Sequence, residues 1–319
     1  MVFFDSVSIN YITSKTIIPA LKNVNLFINN GDHLGLVGES GSGKTTLALA
    51  IPRLLPNNAK IISGRILWYD TDILRASAKS LNQIRKNISI IFQNALACLN
   101  PLLPIGKQIA DVLRYKAGKS VIVSKIRAID LLAQLGFTNP EQLARKYPFE
   151  LSGGMAQRVL IAMAIAAEPR LIIADEPTTG LDVIVQMEIL HLWRDLLSQF
   201  KSALLLISHD IRVVIDLCEK IACMYHGEIV EKGVTQRIVS DPRHPYTAGL
   251  MQSFYGIQKR MFPFIPGVPT VSVQEQTCGF LPRCSFRTEK CLVEPPPYVQ
   301  IEEGWEVKCW RPLGLQTRA

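Results

Sequence analysis

The sequence contains no apolar run that approaches the ~18–20 residues of a membrane-spanning helix. Its most apolar stretches, VLIAMAIAA and ALLLIS, are short and are expected to form buried elements. The N-terminal residues MVFFDSVSIN lack the basic segment and long apolar core of a secretory signal peptide. We therefore expect a protein that does not itself cross a membrane and that works in the cytosol.

Runs of four basic residues are also absent, although the formal net charge is +8. A positive excess can face nucleic acid or an anionic membrane, but scattered charges fit an ordinary solvated surface equally well. The sequence shows no internal repeat and no low-complexity segment. With 48% hydrophobic residues in 319 positions, the composition is that of a globular chain with room for one or two domains.

No C-x-x-C pair occurs among the seven cysteines. Three of them lie in apolar contexts typical of buried thiols: Cys98, Cys218 and Cys223. The other four cluster near the C-terminus: Cys278, Cys284, Cys291 and Cys309. In a cytosolic protein such a cluster binds metal more often than it forms disulfides. The spacing does not support a common zinc ribbon or finger, whereas four thiolates can hold a 4Fe–4S cluster; zinc and a metal-free set of thiols stay open.

What the sequence does contain is a glycine-rich loop, GESGSGKTT, directly after the apolar run LGLV. Gly38, Gly43, Lys44 and Thr45 satisfy the phosphate-loop pattern G-x-x-x-x-G-K-S/T. Glycines let the backbone turn its N–H groups toward an anion, and a helix starting near Lys44 adds its positive dipole end. Lys44 is then expected to reach the β- and γ-phosphates, and Thr45 to ligate Mg²⁺. HLGLVG predicts a buried strand, and KTTLALAIPRLL predicts a helix that stops before Pro56.

A second motif, RLIIADEPTTGLD, predicts an apolar strand at 171–174 that ends in two carboxylates. In parallel sheets such strand ends lie beside the phosphate-binding loop. Asp175 is expected to hold Mg²⁺ through water, and Glu176 to orient or deprotonate an attacking water. A solvated pair of strand-end carboxylates is the plain alternative.

A third motif, LSGGMAQRVLIAMAIA, predicts a helix from its apolar spacing. Ser152, Gly153 and Gly154 open this helix and offer a hydroxyl and backbone N–H groups to a second anion. Because one chain does not need two sites for one γ-phosphate, we expect the second site to serve the nucleotide of another subunit. A plain N-cap with flexible glycines is the alternative.

Three further residues have candidate roles at a nucleotide. ALLLISHDI predicts a buried strand before His209, which could reach a γ-phosphate, although a lone histidine in this position is usually structural. SIIFQN predicts a strand before Gln93, which is expected to sense Mg²⁺ and the attacking water. Tyr11 is expected to precede the first strand pair and to stack on adenine, with plain packing as the alternative.

Taken together, these motifs resemble those of the ATP-binding-cassette (ABC) ATPases over residues 1 to about 240. The resemblance implies an α/β P-loop NTPase cassette with a mixed-sheet core, an antiparallel β subdomain and a helical subdomain at about 94–150, followed by a small C-terminal extension at 241–319. It places Walker A at 38–45, the signature at 151–155, Walker B at 171–175 and the D-loop at 179–182. Two positions depart from the common pattern: Met155, where many members carry Gln, and Gly180, where Ala is more usual.

The resemblance also implies two cassettes that close head to tail around two ATP molecules. Its catalytic residues are Glu176, His209 and Lys44, and its Mg²⁺ ligands are Thr45, Gln93 and Asp175. The nucleotide is contacted by Tyr11, Gly38, Glu39, Ser40, Gly41, Ser42, Gly43, Lys44, Thr45, Thr46, Gln93, Asp175 and Asp182. The partner's ATP is contacted by Ser152, Gly153 and Gly154.

The C-terminal stretches DPRHPYTAGLMQS, IPGVPT and CGFLPRCSFRTEKC resemble the tail of oligopeptide, dipeptide and nickel importer ATPases. This tail favours a 4Fe–4S cluster at the four cysteines. It implies an ATPase that powers import of di- or oligopeptides, with nickel or another metal chelate as the alternative cargo. The implied partners are two permease subunits, a second similar ATPase and an extracytoplasmic solute-binding protein. The implied location is peripheral, on the cytoplasmic face of the inner membrane.

Two other classes fit less well. A nucleic-acid-engaged cassette ATPase is weakly permitted by the charge, but the sequence has one cassette and neither a coiled-coil insertion nor a zinc-hook motif. Exporter ATPases are often fused to spanning helices, which this sequence lacks. We therefore expect no nucleic-acid partner.

Overall fold

The structure, a computed structural model, describes residues 1–258 and 277–314, without the side chains of 254–258. The stretch IPGVPT lies outside the described residues. The chain divides into two compact units. The phosphate-loop unit comprises Met1–Ile28, His33–Leu74 and the part from Ser208 onward, and the signature unit comprises Asn29–Asp32 and Arg75–Ile207. The domain boundary at residue 240 stays a sequence-based prediction.

The strands of the described residues follow in chain order. They are β1 (Val2–Ile12), β2 (Ile17–Ile28), β3 (His33–Val37), β4 (Ala59–Trp68), β5 (Thr71–Asp72), β6 (Ile88–Ile91), β7 (Leu171–Asp175), β8 (Ala203–Ile207), β9 (Lys220–Tyr225), β10 (Glu228–Val234), β11 (Tyr298–Glu302) and β12 (Trp305–Lys308).

The α-helices of the same residues are mostly short. They are α1 (Lys44–Ala50), α2 (Ala78–Lys86), α3 (Ala95–Cys98), α4 (Ile105–Ala117), α5 (Val121–Gln134), α6 (Pro140–Arg145), α7 (Gly153–Ile165), α8 (Val183–Gln199), α9 (Ile211–Leu217), α10 (Thr235–Ser240), α11 (Pro245–Gln258) and α12 (Lys290–Val293). Single 3-10 turns lie at Pro148–Glu150 and Leu281–Arg283. Within the described ranges, none of these helices combines the length and apolarity needed to cross a membrane.

The phosphate-loop unit contains two sheets. The first is antiparallel, in the order β2–β1–β4–β5. Strand β1 completely buries Val2 and Phe4 and, beyond an irregularity in its register between Phe4 and Val7, also Val7 and Ile9. The second has the order β11–β12–β10–β9–β3, with β3 parallel to β9 and the other pairs antiparallel.

The C-terminal strands belong to the second of these sheets because β12 pairs with β10, placing Glu231 opposite Val307. The Glu231 side chain is fully buried. Its carboxylate accepts hydrogen bonds of 2.9 Å from the backbone N–H groups of Arg243 and His244 and from Trp305 Nε1. One buried anion with three donors therefore ties the start of the HPYT segment to the tail.

The signature unit has a parallel core of β6, β7 and β8. Residues 171–174 and 203–207 are buried throughout, as expected of parallel strands with both faces covered. Trp193 of α8 is almost completely buried in this unit as well. The mixed α/β composition that the sequence predicts is thus confirmed.

Residues 94–150 of the signature unit include the helices α3 to α6, and their assignment as a separate helical subdomain stays a sequence-based prediction. Ile105, Ile109 and Leu113 form the buried side of α4, the helix that follows the proline-containing loop at 99–104. The Gln108 amide holds that loop, since it accepts from the Asn100 N–H at 2.9 Å and donates to the Asn100 carbonyl at 2.9 Å.

Candidate functional site

The glycine-rich loop connects β3 to α1, in the strand–loop–helix order that the sequence predicts. Helix α1 begins at Lys44 but ends at Ala50, so the prediction that it continues to just before Pro56 is wrong. The physical reason is Pro52, because proline has no N–H for the helical hydrogen bond and its ring clashes with the preceding turn.

The loop backbone approaches other segments so closely that only glycine fits at two positions. Gly43 has φ +106°, and a Cβ there would lie 2.4 Å from the Ala20 carbonyl oxygen. At Gly38 a Cβ would lie 2.1 Å from the Met224 carbonyl oxygen. The loop conformation is therefore packed into the fold, as a preorganised anion site requires.

The Lys44 side chain folds back over this loop and is only 7% exposed. Its Nζ donates to the carbonyl oxygens of Gly38 and Glu39, both at 2.8 Å, and to Ser42 Oγ at 3.3 Å. The ammonium group is thus positioned inside the loop that is expected to hold phosphate.

Tyr11 lies within β1, near its C-terminal end, so the expectation that it precedes the first strand pair is wrong. The reason is strand pairing, since Tyr11 lies opposite Ile18 of β2 and Ala59 of β4. The Tyr11 hydroxyl lies 3.0 Å from Thr46 Oγ1, which joins the strand end to the first turn of α1. The neighbouring Thr45 is exposed. Adenine stacking by Tyr11 stays a prediction.

His209 lies on the exposed turn just before α9. Two flanking residues shape this turn. Ser208 Oγ accepts from the Asp210 N–H at 2.9 Å, and Asp210 Oδ1 caps α9 by accepting from the Arg212 N–H at 2.9 Å. The turn therefore has a defined local structure, as a γ-phosphate contact by the imidazole would require.

In the signature unit, the strand-end carboxylates lie where the sequence predicts them. Asp175 is the last residue of β7, and Glu176 follows it. Glu176 Oε2 accepts from Gln93 Nε2 at 3.0 Å and from Thr179 Oγ1 at 3.1 Å. The structure thus brings together the residues of the predicted Q-loop, Walker B strand and D-loop.

The backbone of Glu176 is unusual because its φ is +50°, a region that few non-glycine residues adopt. Its N–H donates to the Ile207 carbonyl at 2.9 Å, which holds it in place. Strained backbone of this kind is concentrated at functional sites.

The LSGG segment forms the start of α7, which confirms the predicted helix. Ser152 caps it, since Ser152 Oγ accepts from the Met155 N–H at 3.3 Å. At Gly154 a Cβ would lie 2.5 Å from Val185 Cγ1 on α8. Asp182 caps α8 in turn by accepting from the Val185 N–H at 3.0 Å. Two capped helix N-termini therefore pack closely together; contact with a partner's ATP stays a prediction.

The four C-terminal cysteines line one cavity of about 20 Å³. Its lining also includes the aromatic residues Phe280, Phe286 and Trp310 and the basic residues Arg287 and Arg311. Among the residues that the structure describes, however, no group of three or more His, Cys, Asp or Glu side chains could hold a metal ion. Neither the 4Fe–4S cluster expected from the sequence nor a zinc ion at these cysteines is therefore supported by the described residues.

Burial raises the pKa of three of these thiols, those of Cys278, Cys284 and Cys309, and so favours their protonated form. Burial raises the pKa of Cys278 to about 11 and that of Cys309 to about 12. Repulsion from the three other cysteines acts in the same direction at Cys309, so all four thiols lie within electrostatic reach of one another.

Sequence reasoning missed two residues that touch the phosphate loop from the C-terminal region. Tyr246 Oη accepts from the Glu39 N–H at 2.8 Å. Arg283 Nη1 and Nη2 donate to the two carboxylate oxygens of Glu39 at 2.7 and 2.9 Å. Tyr246 belongs to the HPYT stretch and Arg283 to the stretch CGFLPRCSFRTEKC. Neither stretch has a sequence pattern that indicates a contact with the phosphate loop.

Comparison with known families gives two matches along the chain. The ABC transporter family matches residues 21–179. The family described as oligopeptide/dipeptide transporter, C-terminal region, matches residues 230–291. The two matched segments contain the phosphate loop and three of the four C-terminal cysteines, respectively.

Similar proteins cover almost the whole chain. The probable D,D-dipeptide transport ATP-binding protein DdpD of Escherichia coli (strain K12) is 42% identical over 300 residues, 92% of each chain. The oligopeptide transport ATP-binding protein AppD of Bacillus subtilis (strain 168) is 38% identical, over 94% of this chain and 93% of that protein. The dipeptide transport ATP-binding protein DppD of E. coli is 36% identical, over 97% and 96%.

Solved structures agree on the fold. The ATP-binding cassette MJ0796, in a dimeric post-hydrolysis state bound to ADP and Pi, superposes with a TM-score of 0.65 at 32% identity. The match covers 74% of this chain and 99% of that one. The cassette architecture expected from the motifs is thereby confirmed.

Proposed function

Because this chain belongs to the ABC transporter ATPases, in the oligopeptide/dipeptide importer type, we propose that its ATP hydrolysis powers the uptake of di- and oligopeptides. The observation that carries the proposal is the importer-type C-terminal region at 230–291, on the same chain as the ABC match at 21–179. The named relatives, at 36–42% identity, are peptide transport ATP-binding proteins.

The proposed chemistry is phosphoryl transfer to water, which relies on positioning and charge stabilisation. The loop N–H groups and Lys44 bind the β- and γ-phosphates. Glu176, oriented by its two donors, takes a proton from the attacking water. His209 is proposed to contact the γ-phosphate.

Magnesium is the expected cofactor of this reaction. Its ligands would be the Thr45 hydroxyl, the Asp175 carboxylate and the Gln93 amide oxygen, and oxygen donors of these kinds are what Mg²⁺ prefers. When bound, the ion neutralises charge on the phosphate oxygens. The exposed Thr45 hydroxyl and half-buried Asp175 fit this role.

We propose that the protein works as one subunit of a larger importer complex. Ser152, Gly153 and Gly154 are proposed to contact ATP held by the Walker A loop of a second, similar ATPase. Two membrane permease subunits and an extracytoplasmic solute-binding protein complete the proposed importer. The chain would then lie peripherally on the cytoplasmic face of the inner membrane.

The cysteine cavity is proposed to hold a 4Fe–4S cluster. Support comes from the donor set, since four thiols line one cavity together with aromatic side chains and two arginines. In such a cluster each thiolate binds a different iron, so its ligands need not meet at a single ion. Because the cavity is only about 20 Å³, the thiols would have to spread outward to admit a cluster. Loading would also release the thiol protons.

The cluster is tested on anaerobically purified protein by iron and sulfide content and visible absorbance. We expect about four irons per chain, with loss of the absorbance in Cys284→Ser and Cys309→Ser but not in Cys98→Ser, the exposed cysteine outside the tail. Folded protein that contains zinc at full occupancy, or that contains no metal, contradicts the proposal.

The transport function is tested by Lys44→Ala in cells, with uptake of labelled dipeptides, longer peptides and nickel. Lys201→Ala, an exposed lysine, is the matched control. Loss of peptide uptake in Lys44→Ala alone supports the proposal. Loss of nickel uptake alone moves the cargo to metal chelates, and unchanged uptake of all three in a strain without other importers contradicts the proposal.

A further inference from the structure

Glu39, the second residue of the phosphate loop, is held by side chains that come from more than 200 positions further along the chain. The Arg283 guanidinium binds both oxygens of its carboxylate, at 2.7 and 2.9 Å. The Tyr246 hydroxyl accepts from its backbone N–H at 2.8 Å. The C-terminal region therefore fixes both the side chain and the main chain of this one residue.

These two holding groups are rigid. The Arg283 side chain is 5% exposed, and its Nη1 also donates to the Tyr225 hydroxyl at 3.3 Å. Tyr246 is fully buried, with its ring 4.6 Å from that of Tyr225 and 5.6 Å from that of Phe280. Side chains packed in this way hold a fixed geometry, unlike an exposed ion pair.

The contact continues to the lysine of the loop. The Glu39 carbonyl oxygen accepts from Lys44 Nζ at 2.8 Å. The peptide group of Glu39 thus links the C-terminal region to the cation expected to bind phosphate. Displacement of Glu39 would move an acceptor that shares in positioning Lys44.

The positive charge of Arg283 also affects how the phosphate loop receives ATP. ATP carries several negative charges into a loop that already contains the Glu39 carboxylate. Arg283 neutralises that carboxylate with two parallel hydrogen bonds. Without the arginine, an unpaired anion would stand beside the incoming phosphates and repel them.

We propose that Arg283 is a positioning residue for ATP binding: it masks the charge of Glu39 and, with Tyr246, holds the phosphate loop in its binding conformation. The proposal rests on the proposed ATP-binding role of that loop. Arg283 does not touch the reacting atoms, so it acts on nucleotide affinity more than on turnover.

The test is the dissociation constant of a fluorescent ATP analogue, measured by anisotropy on the full chain, together with the KM and kcat of hydrolysis. We expect Arg283→Met to weaken binding about tenfold, with kcat at saturating ATP changed by less than about threefold. Arg283→Lys should recover part of the loss. Arg287→Met, an exposed arginine four positions further on, should bind like the wild type.

A double variant separates charge masking from simple damage to the tail. Adding Glu39→Gln to Arg283→Met removes the unpaired anion, so affinity should return to within about threefold of the wild type. Affinity in Arg283→Met within about twofold of the wild type, or a double variant as weak as Arg283→Met, overturns the proposal.

Two further variants keep the test decisive. If Arg283→Met does not fold, Tyr246→Phe removes only the acceptor of the Glu39 N–H and should weaken binding about threefold to fivefold; unchanged affinity overturns the proposal. Lys44→Ala tests the loop itself. If Lys44→Ala binds ATP normally, the proposed function fails. If Lys44→Ala loses ATP binding but Arg283→Met binds ATP normally, only the role proposed for Arg283 fails.

Discussion

Gln93 Nε2 donates a 3.0 Å hydrogen bond to Glu176 Oε2, across 83 positions of the chain. Thr179 Oγ1 donates to the same oxygen at 3.1 Å. A carboxylate bound by two donors has its orientation set before any substrate arrives. This arrangement gives the proposed general base a fixed direction, and it joins three loops of the signature unit at one side chain.

Replacing Glu176 by Gln should abolish turnover while leaving nucleotide binding intact. The amide keeps the shape of the side chain but cannot take a proton from water. We expect phosphate release to fall by about 10²–10⁴-fold, with ATP affinity within about threefold of the wild type. The exposed Glu303→Gln is the matched control and should hydrolyse normally. Full activity in Glu176→Gln would remove this residue from the mechanism.

Replacing Gln93 by Ala should lower turnover through Glu176 even when Mg²⁺ and ATP are saturating. Loss of one of two donors leaves the carboxylate less well oriented, so we expect kcat, measured at saturating Mg²⁺ and ATP, to fall about tenfold. The loss of turnover caused by Gln93→Ala should be absent in a Glu176→Gln background. Gln93 acts through the Glu176 carboxylate, and that variant lacks the carboxylate. Additive losses in the double variant contradict the coupling.

Replacing Gly43 by Ala should both destabilise the protein and eliminate nucleotide binding. The residue has φ +106°, and the added Cβ meets the Ala20 carbonyl at 2.4 Å. We expect a loss of about 2–4 kcal/mol in the free energy of unfolding, measured by urea denaturation. Gly31 is the control, since it has φ +74° and an added Cβ there would meet no atom within 4 Å. Gly31→Ala should cost about 1 kcal/mol and bind ATP normally.

Much of this site could be predicted because its residues are contiguous in sequence. The phosphate loop, the helix opened by Ser152 and the strand that ends at Asp175 each follow from local spacing of apolar residues, glycines and polar strand ends. The helical subdomain at about 94–150, by contrast, was expected only from the family resemblance. Errors occurred at element ends, where Pro52 shortened α1 and β1 continued past Tyr11.

The contacts that tune these residues could not be predicted. Arg283 and Glu39 are 244 positions apart, and neither has a local pattern that names the other. The positive φ of Glu176 is set by a hydrogen bond to the next strand, which only the folded chain shows. Pairings between distant segments depend on the packing of whole elements, and a single sequence does not contain that information in readable form.

Lys116 should make the stability of the signature unit depend on pH in the alkaline range. It donates to the Ile88 carbonyl at 2.5 Å and to Ser89 Oγ at 3.0 Å. Burial lowers the pKa of this lysine from 10.5 to about 8. Between about pH 8 and pH 10.5, Lys116 is protonated in the unfolded chain but neutral in the folded protein. The free energy of unfolding therefore rises with pH in this range.

We expect Lys116 to contribute about 1–2 kcal/mol to that rise between about pH 8 and pH 10, after allowance for its partial exposure. Below about pH 8 both states are protonated and the cost of burying the charge is fully present. Urea denaturation of Lys116→Met should show a smaller rise than the wild type, and the exposed Lys119→Met should match the wild type. Parallel curves for wild type and Lys116→Met refute the assignment.

The most direct measurement of the proposed transport function is ATP hydrolysis by the complete importer in proteoliposomes, with and without peptide-loaded solute-binding protein. We predict that di- or oligopeptides increase hydrolysis several-fold over the unloaded binding protein and that peptide accumulates only with active ATPase. Complexes that contain Glu176→Gln should bind ATP and transport nothing. Hydrolysis that is indifferent to peptides, or peptide accumulation that persists with Glu176→Gln in place of the wild-type chain, would contradict the proposed function.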